Sequence, residues 1–294
     1  MTRHAGVAGP ARFAGWRAAT AYVAVCFAIA AVSAAAVRAE TLLERGTYLM
    51  QGIVACGNCH TPQGPDGPLP GMELAGGLLL EDEAFTAYGA NLTPDVETGI
   101  GGWSDAEIVT AIREGRRPDG SMIGPLMPIG LYRDISDRDV RAIVAYLRAL
   151  KPVRNEVPDS VYRIPVPPAY GPPVTSVAEV TPDDGAAYGA YLAGPLGHCI
   201  ECHSPMGPMG PDWRDQTGAG GIAFHGPWGV SVAPNITPAG LGAWNDAGIK
   251  TAITRGLRPD GSRLMPPMPF DYYRNISEKD LDALVGYLRS LPPR

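Results

Sequence analysis

The chain has 294 residues, enough for two domains at about 150 residues each. It is 45% apolar and 18% charged and contains 37 Gly and 30 Pro, the make-up of a globular chain with many turns. Its formal charge is −6 and it has no Lys/Arg-rich block, which excludes the counterion-releasing surface of a nucleic-acid binder.

Residues 1–39 read as a secretory signal peptide. Arg3, Arg12 and Arg17 precede an apolar stretch from Ala18 to Val37, broken only by Thr20 and Ser33, and Val37-Arg38-Ala39 offers a cleavage site after Ala39. An uncleaved leader would instead anchor the chain in the membrane, since the stretch approaches the roughly 20 residues a span requires. The leader holds four Arg and no acidic residue. Removing it leaves 20 of the 24 basic side chains against 30 acidic ones, a net charge of −10.

Four cysteines remain after the leader, and all sit in Cys56-Gly-Asn-Cys59-His60 and Cys199-Ile-Glu-Cys202-His203. Four cysteines in an exported chain suggest two disulfides by default, but Cys-x-x-Cys-His is the attachment signature of c-type haem. One helical turn separates the two sulfurs, so both can form thioethers to one porphyrin. The next residue then turns its imidazole to the iron, which makes His60 and His203 the proximal ligands. A zinc site of paired Cys-x-x-Cys units has them about 15 to 20 residues apart. Here they are 143 apart. A thioredoxin-like dithiol would need βαβ surroundings that neither motif has.

The chain also repeats itself. Gly46-Thr-Tyr48-Leu49 returns as Gly189-Ala-Tyr191-Leu192, Asn91-Leu-Thr-Pro94 as Asn235-Ile-Thr-Pro238, and Trp103-Ser-Asp105 as Trp244-Asn-Asp246. Arg117-Pro-Asp-Gly-Ser121 recurs intact from Arg258 to Ser262, and Tyr146-Leu-Arg148 returns as Tyr287-Leu-Arg289. Two copies of one unit of about 110 residues therefore follow one another. The expected division is a leader at 1–39, a first domain at 40–150, a Pro-rich linker at 151–178 with seven prolines, and a second domain at 179–294.

Within each unit the signals are helical. Thr41 and Thr181 can cap helices running into the cysteine motifs, the latter with Pro182 behind it. Ser104-Asp-Ala-Glu107 is a capping box. The last helices begin at Ser136 and Ser277, with Val140, Ile143, Val144 and Leu147, and Leu281, Leu284, Val285 and Leu288, at helical spacing. The expected fold is all-α, two tandem haem domains. Three helices make a poor core for so small a unit, and a buried haem would supply the missing apolar mass.

A haem iron held by one His needs a sixth ligand or an open site. Aligned from the shared Arg-Pro-Asp-Gly-Ser, Met127-Pro128 coincides with Met268-Pro269, each Met five residues before a Tyr, so Met127 and Met268 are the expected distal ligands. Met122, Met265, His198 and His225 have no counterpart in the other copy. Trp103, Arg117, Trp244 and Arg258 recur in loops that would face haem propionates, where an indole N–H or a guanidinium can donate.

With these motifs the chain resembles class I c-type cytochromes. It resembles in particular the dihaem cytochrome c subunits of bacterial periplasmic dehydrogenases for alcohols, sugars, sugar acids and N-heterocycles. The resemblance covers nearly all of residues 41–294. It implies two covalent haem c groups, a periplasmic location, a dehydrogenase as electron donor, and another cytochrome, an oxidase or a quinone as acceptor. The expected role is electron relay; a dihaem peroxidase or thiosulfate-oxidising enzyme with one catalytic haem is the alternative.

Overall fold

The computed structural model describes residues 1–3, 5, 6, 9, 39–208, 210–226 and 228–294. The leader read over residues 1–39 lies almost wholly outside the described residues. The chain divides into two units, Met1–Glu40 and Thr41–Arg294; the second holds both copies of the repeat.

The first copy opens with α1 (Leu42–Gln51), capped by a Thr41–Glu44 box. The one-turn helix α2 (Gly57–His60) carries the first cysteine motif. Two hairpins follow, β1 (Gln63–Gly64) with β2 (Gly67–Pro68), and β3 (Leu79–Glu81) with β4 (Phe85–Tyr88). Then come α3 (Asp105–Glu114), the short α4 (Ile129–Tyr132) and α5 (Asp137–Ala149). The stretch after α5 contributes β5 (Val161–Tyr162).

In the second copy a 3-10 turn (Pro182–Asp184) precedes α6 (Ala186–Tyr191), and a π-helical turn (Leu192–Leu196) leads to α7 (Cys199–Cys202). Thr181 therefore opens the 3-10 turn rather than the helix itself. Two hairpins follow here too, β6 (Met206–Gly207) with β7 (Gly210–Pro211), and β8 (Ala223–Gly226) with β9 (Gly229–Val232). The copy closes with α8 (Pro238–Leu241), α9 (Asp246–Arg255), α10 (Phe270–Tyr273) and α11 (Glu278–Ser290).

The all-α expectation is thus corrected. Four small antiparallel sheets stand among the described residues, three of two strands and one of three. The strands are two to four residues long, too short for alternation to register as a pattern. They arise because the Gly- and Pro-rich stretches close tight turns. Gly67 and its counterpart Gly210 adopt φ of 110° and 115°, which a side chain would oppose.

The Pro-rich stretch runs back over the first copy. Val161 and Tyr162 pair with Thr86 and Phe85 as the third strand of the β3–β4 sheet. Asn155 donates from Nδ2 to the Ala75 carbonyl at 2.9 Å, and the Tyr170 hydroxyl donates to Ile123 O at 2.8 Å. Near its end, the Ser176 hydroxyl and the Arg113 guanidinium bind the Asp137 carboxylate and hold its pKa down at about 2.

The apolar stripes of α5 and α11 are buried to the last residue: Val140, Ile143, Val144, Leu147, Leu281, Leu284, Val285 and Leu288 all lie in the core. Ser136 and Ser277 cap these helices by accepting the backbone N–H of Asp139 and Asp280. Against the stripes pack α1 and α6, and the crossings are close because each presents a glycine. A Cβ on Gly46 would stand 2.0 Å from the Ala142 carbonyl oxygen, and one on Gly189 would stand 2.4 Å from that of Ala283. Arg148 and Arg289, from the repeated Tyr-Leu-Arg, reach across to the Trp-x-Asp turns. Arg148 binds Asp105 Oδ1 at 2.9 Å and the Trp103 carbonyl; Arg289 binds Asp246 Oδ1 at 3.2 Å and the Trp244 carbonyl.

Replacing Gly46 by Val should force α1 from α5 and cost about 1–3 kcal/mol or more as overpacking, read as a lower denaturant midpoint of the holoprotein. An unchanged midpoint would mean that the crossing tolerates a side chain.

Candidate haem-binding sites

Each cysteine motif is one turn of helix entered through a strained residue. Ala55 and its counterpart His198 both adopt left-handed backbone, with φ of 48° and 37°, directly before the first cysteine. Such a conformation costs a residue with a side chain roughly 1–2 kcal/mol. Its presence in both copies makes it a property of the approach to the motif. No disulfide joins the four cysteines among the described residues. In the polypeptide before attachment, burial pushes the thiols of Cys56 and Cys199 up to about 12 and that of Cys59 up to about 11.

The histidines are held from behind. His60 Nδ1 lies 2.8 Å from the Ala90 carbonyl, and His203 Nδ1 lies 2.8 Å from that of Pro234. A carbonyl only accepts, so Nδ1 carries the proton in both rings and Nε2 keeps its lone pair for a metal. Burial lowers both imidazole pKa values, which favours the neutral ring; the bonds to the carbonyls pull the other way.

Two glycines make this support possible. Gly76 N–H donates to the His60 carbonyl at 2.7 Å, and Gly220 N–H donates to that of His203 at 2.7 Å. With φ of 78° and 75°, each glycine lies against the carbonyl-bearing strand, where a Cβ would come within 2.6 Å of Ala90 and Asn91 or of Pro234 and Asn235. The following Asn fastens the turn. Asn91 Oδ1 accepts from Thr93 N and Oγ1 at 2.9 and 2.7 Å; Asn235 Oδ1 accepts from Thr237 N and Oγ1 at 2.8 and 2.7 Å. The repeated Asn-x-Thr-Pro was the sequence signal for this support, but the acting groups, Ala90 O and Pro234 O, are backbone atoms whose identity no side chain announces.

Met127 and Met268 are half-buried against the core. Each precedes the proline that opens α4 or α10. Both methionines, both cysteine motifs, Trp103, Trp244, Arg117 and Arg258 line one continuous cavity of about 3060 Å³. A small-molecule site spans about 300–1,000 Å³, so this volume suits groups larger than one such ligand. Arg117 and Arg258 also brace the Arg-Pro-Asp-Gly-Ser turns: Nη1 donates to Ser121 Oγ and Met122 O at 3.2 and 2.9 Å, and to Ser262 Oγ and Arg263 O at 3.2 and 2.9 Å. Met265 is 42% exposed. His198 packs its ring edge-on to Tyr132, with centroids 5.9 Å apart.

Paired sulfurs on one turn, an imidazole with Nε2 free, and an apolar cavity lined by thioethers form a donor set that fits haem c.

No family profile matches the chain. It is 31% identical over 252 residues to the diheme cytochrome c-type protein of Cereibacter sphaeroides, covering 81% of this chain and 82% of that one. The chain belongs to the dihaem c-type cytochromes. This dihaem cytochrome therefore carries two covalently bound haem c groups. It is also 32% identical to the cytochrome c subunit of the quinone alcohol dehydrogenase of Gluconobacter oxydans, over 95% of its own length and 60% of the relative's. To the fructose dehydrogenase cytochrome subunit of Gluconobacter japonicus it is again 32% identical, over 86% of its own length and 53% of the relative's. The dihaem cytochrome thus spans little more than half the length of these two subunits.

The double variant Cys56→Ala/Cys59→Ala should lower covalently bound haem from two per chain to one, measured as acid-acetone-resistant haem against protein. Two haems per chain in the variant would contradict the attachment at Cys56 and Cys59.

Proposed function

We propose that the chain relays electrons, with His60 and Met127 binding the iron of the first haem and His203 and Met268 that of the second. The observation that carries this reading is the duplication: each copy sets a methionine-proline loop on the cavity that its cysteine motif also lines. Haem c supplies one-electron iron chemistry when bound. The chain's own groups do the rest. The carbonyls of Ala90 and Pro234 orient the imidazoles; the thioethers of Met127 and Met268 would hold the iron on the cavity side, a soft donor that would favour its ferrous state. Trp103, Arg117, Trp244 and Arg258 are assigned to the propionates, supported by their position on the same cavity and by the donors they carry.

The donor is assigned as a periplasmic dehydrogenase, and the acceptor as another cytochrome, an oxidase or a quinone. The names of the relatives from alcohol and fructose dehydrogenases support the donor. The leader read at residues 1–39 supports export to the periplasm, and no helix among the described residues is long and apolar enough to cross a membrane. The division into two haem modules, 40–150 and 179–294 with the stretch 151–178 between them, follows the repeat.

In the ferric protein, Met127→Ala and Met268→Ala should each remove half of the weak far-red absorption of Met-ligated haem. Full intensity in either variant refutes that ligand. Turnover of hydrogen peroxide by the unaltered protein, or a high-spin ferric spectrum at one haem, would refute the relay reading in favour of a catalytic haem.

A further inference from the structure

The seam between the two copies is built twice over by the same groups. Tyr48 and Tyr191 hold equivalent places in the repeat, and so do Asp139 and Asp280. The Tyr48 hydroxyl donates to Asp280 Oδ2 at 2.5 Å and accepts from Ser277 N at 3.1 Å. The Tyr191 hydroxyl donates to Asp139 Oδ2 at 2.8 Å and accepts from Ser136 N at 3.1 Å. Each tyrosine stands on the helix leading into its own cysteine motif and grips the first turn of the other copy's last helix. The contact is reciprocal, as in a two-fold interface.

Both carboxylates are buried, Asp139 at 3% exposure and Asp280 at 5%. Each also has a partner within its own copy. Arg45 binds Asp139 at 2.8 and 3.0 Å, and the Tyr188 hydroxyl binds Asp280 Oδ1 at 2.9 Å. The cross-seam hydroxyls are therefore additional to what each copy uses to hold its own carboxylate. Hydrogen bonds to a buried charge are short and directional, and a satisfied buried network favours one arrangement over its neighbours.

This arrangement brings the haem-bearing turns to the seam. Asn58, inside the first motif, donates from Nδ2 to Pro267 O in the second copy's methionine loop at 3.3 Å. A Cβ on Gly57 would stand 2.0 Å from the Tyr272 hydroxyl, and one on Gly197 would stand 2.9 Å from Ile53. Both attachment turns thus lie against the opposite copy.

We infer that Tyr48 and Tyr191 are positioning residues that set the separation and angle of the two haems, making them an electronically coupled pair. The inference rests on the two-haem reading but not on the methionine ligands. The step it serves moves one electron from a ferrous to a ferric iron, with no bond made or broken and no proton transferred. Its rate falls steeply with the gap, so a rigid seam matters.

The test compares the holoprotein with Tyr48→Phe/Tyr191→Phe, which keeps both rings and removes both hydroxyls. Circular dichroism in the Soret region of the unaltered protein should show a two-signed couplet, the signature of two coupled haem transitions. The double variant should lose most of that couplet while its absorption spectrum and far-red band stay unchanged. Should the double variant fail to fold, each single variant should lose part of the couplet. An absent couplet in the unaltered protein, or a full couplet in the variants, overturns the inference. A missing far-red band with an intact couplet would instead overturn the methionine ligands alone.

Discussion

The bond from an imidazole Nδ1–H to a backbone carbonyl governs the design of each half. A histidine can present Nε2 to iron only if its other nitrogen holds the proton and a fixed partner. Ala90 O and Pro234 O provide that partner at the same distance of 2.8 Å. Much of the surrounding backbone follows from it. Gly76 and Gly220 carry no side chain because they are wedged between the motif and the carbonyl-bearing strand. Gly89, one residue before Ala90, lies where a Cβ would be 2.0 Å from the Cys59 carbonyl. The Asn side chains then tie off the turn.

A second constraint acts between the halves. Small units of about 110 residues bury a modest share of their surface, and here each half completes its core against the other. Tyr188, Tyr191, Leu192 and Leu196 of the second copy belong to one buried cluster with Leu49, Ile53 and Val54 of the first. The copies are thus covalently tandem and also packed as a pair, with the polar seam contacts at Asp139 and Asp280 setting their register.

The helical part of this arrangement was legible in the sequence. Capping residues such as Ser104, Ser136 and Ser277, and the apolar stripes of the last helices, act over short distances and leave periodic traces. The cysteine motifs were legible because covalent attachment demands a fixed spacing. The sheets were not, since strands of two to four residues leave no period to detect. Nor was the course of residues 151–178: seven prolines indicate an extended chain, but its pairing with β4 through Val161 and Tyr162 depends on tertiary contact. The supports of the histidines were hidden for another reason, because a carbonyl belongs to every residue and only the fold selects one. Tyr48 and Tyr191 were visible as repeated letters, while their reaching across to the opposite copy required the structure.

The central claim is that two porphyrins are held covalently through Cys56 and Cys59 and through Cys199 and Cys202. The intact mass of the purified holoprotein under denaturing conditions tests it most directly. The account predicts the mass of the polypeptide plus two haems; a mass equal to the bare polypeptide, or to one with two disulfides, would contradict it.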